Sequence, residues 1–131
     1  MNHKDFEVAF THFALESGVS KVEFRKSEQV LTGGSLIAGN YSTKDKSIWV
    51  VTEYPNAKLS TSSVAFLAFH ELGHFWQHKR GDGIIFKYWE SEEIRASLEL
   101  DAHRYAQRKV KQWLRVSLPA CDPHIQFTSP S

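Results

Sequence analysis

Phe6, Phe10, Phe13 and Ala14 recur at three- and four-residue intervals. That spacing predicts an amphipathic helix over 5–17, stopped by Gly18. The period then changes. Over 19–26, Val22 and Phe24 alternate with Lys21, Glu23 and Arg25, as in a half-buried strand. Two short β-prone runs follow at 36–41 and 47–52, and the polar stretch 42–46 between them predicts a hairpin. A second helix is expected over 61–79. Ser60 and the residues after it offer N-caps, and Gly81 and Gly83 close it. Residues 84–89 are apolar and aromatic and are expected as a loop packed on the core. The last helix is expected over 91–116, with Ser91 as cap and Glu92 and Glu93 suited to its positive end. On it Ile94, Leu98, Ala102 and Tyr105 form an apolar stripe. Three prolines, Pro119, Pro123 and Pro130, mark 119–131 as a tail. The order is helix, about three strands, helix, helix. This is an α+β domain over 1–118, with a small, mainly antiparallel sheet and helices on one side.

Composition narrows the class. The chain has 131 residues, one domain by length, and its aromatic share of 13% is too high for a disordered segment. Cys121 is the single cysteine, which excludes a disulfide framework and a cysteine-based zinc finger; it reads as inert. The longest apolar run, 64–69, is too short to span a bilayer. The first twenty residues carry acids and lack the pattern of a signal peptide, so a cytoplasmic protein with no membrane partner is expected. The net charge of +1 names no polyanion partner. Arg104, Arg108, Lys109, Lys111 and Arg115 do load the end of the last helix. They read first as a complement to the helix dipole on a solvated face. A nucleic-acid stripe is the less favoured reading, and Trp113 beside them is expected in the core.

Seven residues are histidine, and three of these lie within nine residues. His70-Glu71-Leu72-Gly73-His74 is an H-E-x-x-H motif inside the second predicted helix. Residues four apart project from one face, so both imidazoles can reach one tetrahedral zinc ion. Glu71 is turned about 100° round the helix, where it can meet a water on the metal and take its proton. Gly73 lets another backbone approach closely. His78 is about 12 Å along the axis from His70 and cannot share that metal, so it reads as a helix-end imidazole.

A third protein ligand must then come from the last helix. Glu99, Asp101 and His103 are the candidates, with Glu92 and Glu93 one to two turns earlier. Glu99 borders the apolar stripe, where a carboxylate is costly unless paired or metal-bound. Arg95 or His103 could equally pair with it.

The HELGH helix, followed by Glu99-Leu100-Asp101-Ala102-His103-Arg104-Tyr105-Ala106, resembles the compact gluzincins, and most closely the ImmA/IrrE family of small zinc peptidases. The likeness runs from about residue 36 and covers roughly two-thirds of the chain. It implies a minimal zincin-like domain, a Zn²⁺-dependent peptidase acting on a protein or peptide, and Glu99 as third ligand. Related gluzincins often carry Asp where this chain has His103. His103 is therefore a candidate oxyanion donor, ligand support or alternative ligand. SprT-like, DNA-associated proteases start from a similar helix and use a third histidine, so His103 keeps that alternative open.

Tyr54, Tyr88 and Tyr105 are further oxyanion candidates, with His103 preferred. The run 47–52, centred on Trp49, is a candidate strand for pairing with an extended substrate. The expected activity is peptide-bond hydrolysis with Glu71 as general base. The rival from another class is a non-catalytic, zinc-stabilised binding or assembly module. Retention of Glu71 speaks against it, because a scaffold has no use for the base.

Overall fold

The computed structural model describes residues 1–31, 36–115 and 125–126. Helix α1 (His3–Ser17) begins two residues before the expected start, because the Asn2 side chain accepts the Asp5 amide at 2.8 Å and caps it there. It ends at Gly18, whose φ of 119° is the left-handed turn that favours glycine. Strand β1 (Lys21–Lys26) follows as expected. The run predicted over 36–41 is divided into β2 (Leu36–Ile37) and β3 (Gly39–Ser42). A turn ending at Lys46, with φ of 58°, leads into β4 (Ser47–Tyr54), and β5 (Ala57–Lys58) folds back on its end. Helix α2 (Thr61–Lys79) has the predicted limits, with Ser60 accepting the Ser63 amide. Residues Ile84–Lys87 make one turn of 3-10 helix where a loop was expected, burying Ile85 and leaving Phe86 exposed. Helix α3 (Glu92–Leu114) is capped by Ser91 and stops at Arg115, whose φ of 54° breaks the helix; Val116 lies outside the described residues. In the predicted tail, β6 (Ile125–Gln126) pairs in parallel with β2. Pro119, Cys121, Pro123 and Pro130 lie outside the described residues.

The α+β class is observed, with three α-helices and a small four-stranded sheet among the described residues. The sheet is mixed, not mainly antiparallel. Its path is β1-β4-β3: β3 pairs with β4 antiparallel as the predicted hairpin, but β1 pairs with β4 in parallel over Lys21–Lys26. The cause is the connection after β1. It carries the chain across to the far side of β4, so β1 and β4 run in the same direction.

β4 is therefore hydrogen-bonded along both edges, to β1 and to β3, over Ser47–Val50. An interior strand has no free row of amides and carbonyls, which overturns 47–52 as the strand for a substrate backbone. Trp49 instead lies under the Arg25 guanidinium, 4.5 Å from its ring centre.

Helix α2 is the centre of the molecule. It packs on β3 and β4, and among the described residues α3 packs chiefly on α2. Between two layers a helix is covered on nearly all sides, and α2 is buried almost continuously from Val64 to Phe75. Phe6 and Phe10 of α1 close one end of the core against Phe69, and Trp113 of α3 packs edge-on to Phe69 at 4.9 Å, as expected for a core residue. His3 fastens α1 to the start of α2: one ring nitrogen donates to the Leu59 carbonyl at 2.7 Å, and the other accepts the Thr61 hydroxyl at 2.9 Å. No helix among the described residues is long and apolar enough to cross a membrane.

Candidate metal centre

The buried face of α3 differs from the predicted stripe. Leu98, Ala102, Ala106 and Val110 are buried, an unbroken four-residue repeat, while Ile94 and Tyr105 are only partly covered. The reason is size. The two alanines let α3 lie close against α2, and at the closest point Gly73 faces Ala102. A Cβ on Gly73 would stand 3.0 Å from the Ala102 Cα. Two helices this close leave room for a short polar bridge between them, and Glu99 fills it.

Glu99 reaches both motif histidines. His70 Nε2 is 2.8 Å from Glu99 Oε2, and His74 Nε2 is 3.0 Å from Glu99 Oε1. The imidazoles are buried, and Glu99 keeps 27% of its side-chain surface exposed, so the group opens to solvent on the Glu99 side. One ligand atom from each residue lies within 4.8 Å of the others. Tyr88, buried on the loop after α2, donates its hydroxyl to Glu99 Oε1 at 2.9 Å.

The atoms fit a metal ion for a specific reason. His74 Nε2 is buried and makes no hydrogen bond, although a carboxylate oxygen stands 3.0 Å away. Its other nitrogen, Nδ1, already bonds the Gln77 side-chain oxygen at 2.8 Å and so carries the hydrogen of the neutral ring. Nε2 then points a lone pair at a lone pair. A cation between them turns that repulsion into two ligand bonds. Two imidazoles and one carboxylate, with a side open to solvent, are the donor set of a site that keeps a position for a reacting molecule.

Electrostatics follow from the burial. Burial pushes the His70 imidazolium down to about 4, against the opposing pull of Glu99. For His74 burial acts the same way, but Glu99 and Glu71 outweigh it and its pKa is raised. Burial opposes the Glu99 charge, yet the adjoining His70 and His74 imidazoles hold its carboxyl well below the usual range. The Tyr88 phenol is raised by burial and by Glu99.

Glu71 lies on the β3 side of α2. It is fully buried, its oxygens have no side-chain hydrogen-bond partner, and the Tyr41 main chain is the one backbone group that favours its charge. Burial pushes its pKa up to about 8, and the neighbouring His74 works against the rise. A Cβ on Gly39 of β3 would stand 3.6 Å from Glu71 Oε2, ordinary van der Waals contact, and 3.1 Å from the Trp49 carbonyl, so the carboxylate sits beside the strand at Gly39.

The remaining predicted residues contribute none of the three ligand atoms. His103 is not in the ligand group: its ring packs edge-on to Phe66 at 4.7 Å, with its centre 6.5 Å from that of His70. Asp101 accepts from Gln77 at 3.0 Å, and Glu92 and Glu93 are exposed. The Tyr105 hydroxyl accepts the Trp76 indole N–H at 3.0 Å, and Tyr54 is buried at the end of β4. Tyr88 is therefore the tyrosine that touches the group. His78 does more than end a helix, since it bonds the Tyr41 hydroxyl at 2.7 Å and ties β3 to α2. Of the basic run, Arg104, Arg108, Lys111 and Arg115 are exposed, whereas Lys109 lies over the Phe13 ring.

Two residues of the site escaped the sequence reading. Gly39 had no local signal. Gln77 had a weak one: it stands three residues after His74 and on the same helix face. A scan against family models, a search of curated proteins and a search of solved structures each find no match to this chain, so the chemistry of the His70, His74 and Glu99 group rests on its own geometry.

Proposed function

We propose that the protein is a zinc-dependent metallopeptidase of the zincin type, nearest in plan to the ImmA/IrrE peptidases, which hydrolyses peptide bonds in a protein substrate. His70, His74 and Glu99 would hold the zinc. A zinc ion bound there supplies the Lewis acid that polarises the scissile carbonyl and acidifies the attacking water. Glu71 would accept a proton from an attacking water and return it to the departing amine. Tyr88 donates its hydroxyl to Glu99 and holds the carboxylate in place.

One observation carries this reading: the Glu71 carboxyl is buried beside the histidine pair with no side-chain hydrogen bond to satisfy it. Burying a carboxyl with so little compensation costs several kcal/mol at the order-of-magnitude level. A site that only braces two helices needs no such group. A general base does, because a carboxylate with few competing partners is open to a water's proton, and a bound cation would oppose the burial that raises its pKa. The two imidazoles and one carboxylate favour zinc over magnesium or calcium, which take oxygen ligands.

Glu71→Gln is the direct test. It keeps the shape and removes the base, so zinc should remain bound at one equivalent while cleavage in a proteome-derived peptide library disappears. Cleavage that persists in Glu71→Gln sinks the mechanism. Zinc binding by a wild-type protein that cleaves nothing in the library moves the reading to an inert zinc module.

A further inference from the structure

We propose that Gln77 is a positioning residue whose carboxamide fixes the tautomer of His74 and ties that ligand to α3 at the level of Glu99. The proposal rests on the metal-site reading only in taking His74 as a ligand. Gln77 is buried, with 2% of its surface exposed, on the face of α2 that carries His70 and His74. Each polar atom of its amide is used. Oε1 meets His74 Nδ1 at 2.8 Å; Nε2 donates to the Leu98 carbonyl at 2.8 Å and to Asp101 Oδ2 at 3.0 Å.

The direction of this chain is forced. A main-chain carbonyl can only accept, and so can an ionised Asp101. The amide NH₂ must therefore face α3, which turns Oε1 towards His74. An amide oxygen can only accept, so Nδ1 of His74 must carry the hydrogen. In the neutral ring that leaves the lone pair on Nε2, the atom 3.0 Å from Glu99 Oε1. A carbonyl on one helix thus selects, through one amide, which nitrogen of His74 is free for a metal.

The same amide sets position. Leu98 and Asp101 bracket Glu99 in α3, and Gln77 grips both. Holding the backbone one residue before the ligand, and the side chain two after it, restrains α3 against sliding and rotation on α2. Outer partners of metal-bound histidines typically change metal affinity by about 10–100-fold when removed.

The experiment compares wild type with Gln77→Met, which keeps the length and removes the polar atoms, and Gln77→Glu, which keeps an acceptor for His74 but loses the donor to Leu98. Side-chain ¹⁵N shifts of metal-free protein at alkaline pH, where the imidazoles are neutral, report the His74 tautomer. Competition with a chelating dye reports zinc affinity. The expected results are an Nδ1–H tautomer in wild type and in Gln77→Glu, its loss in Gln77→Met, and zinc binding weakened about 10–100-fold in both variants. A Gln77→Met protein that keeps the Nδ1–H tautomer overturns the proposal, whatever its affinity. If Gln77→Met does not fold, Gln77→Glu decides: an altered tautomer, or unaltered zinc affinity, overturns it. Failure of the wild type to bind zinc would instead remove the metallopeptidase reading, and the metal-free tautomer would still decide the role of Gln77.

Discussion

Gly73 of α2 stands against Ala102 of α3 so closely that a Cβ on the glycine would meet the alanine Cα at 3.0 Å and its Cβ at 3.1 Å. The first neighbour is backbone, which cannot swing aside as a flexible side chain could. This contact sets how near α2 and α3 approach, and it lies next to His74 on one helix and three residues from Glu99 on the other.

Gly73→Ala should therefore destabilise the protein despite the better helix propensity of alanine. Propensity favours alanine by up to about 1 kcal/mol, whereas overpacking a tight contact costs ~1–3 kcal/mol. Urea unfolding should show a net loss, and zinc affinity should fall with it, because Glu99 moves out with α3. An unchanged unfolding midpoint would mean that the helices can part at no cost.

Tyr88→Phe removes the hydroxyl that donates to Glu99 Oε1 and keeps the ring. The carboxylate loses its partner from the loop after α2 but retains the histidines. Zinc affinity should drop by about tenfold, at the low end for an outer partner of a ligand. Isothermal titration in a competing buffer measures it, and an affinity equal to wild type would assign the bond to loop packing alone.

His103→Ala distinguishes the two third-ligand readings. His103 packs on Phe66 and stands apart from the ligand group. Its loss should cost packing energy and leave zinc affinity within about threefold of wild type, whereas Glu99→Gln should cost more than about 100-fold, beyond the range of outer partners. The reverse order of effects would make His103 the ligand and favour the SprT-like plan.

The metal-free protein should be most stable near pH 5–6.5. His70 is held down at about 4 from 6.5, so its contribution is full above 6.5 and is lost as pH falls towards 4. Glu71 is held up at about 8 from 4.5, so its contribution is full below 4.5 and is lost as pH rises towards 8. Burial works against charge on His74, but Glu99 and Glu71 raise its pKa, and it adds to the alkaline loss. Urea midpoints in the presence of a chelator should decline from pH 6.5 to 8. Glu71→Gln should make that decline shallower and leave the acid side in place. A wild-type midpoint that rises over this interval would contradict the burial of Glu71.

Residues within one helix have a fixed geometry, about 100° and 1.5 Å each, so the sequence by itself determined the limits of α2, the shared face of His70 and His74, and the displacement of Glu71. The α+β class and the β3–β4 hairpin followed likewise from local period and turn residues. The third member of the group was different. Glu99 and His103 are four residues apart on α3 and project from one face, so α3 alone does not choose between them. The choice depends on how far α3 is shifted along α2, and that shift is set by Gly73 against Ala102 and by Gln77 bonded to Leu98 and Asp101. The parallel pairing of β1 with β4 has the same character, since it depends on where the connection after β1 crosses the sheet. Contacts between segments far apart in the chain decided what the periodicity of each segment left open.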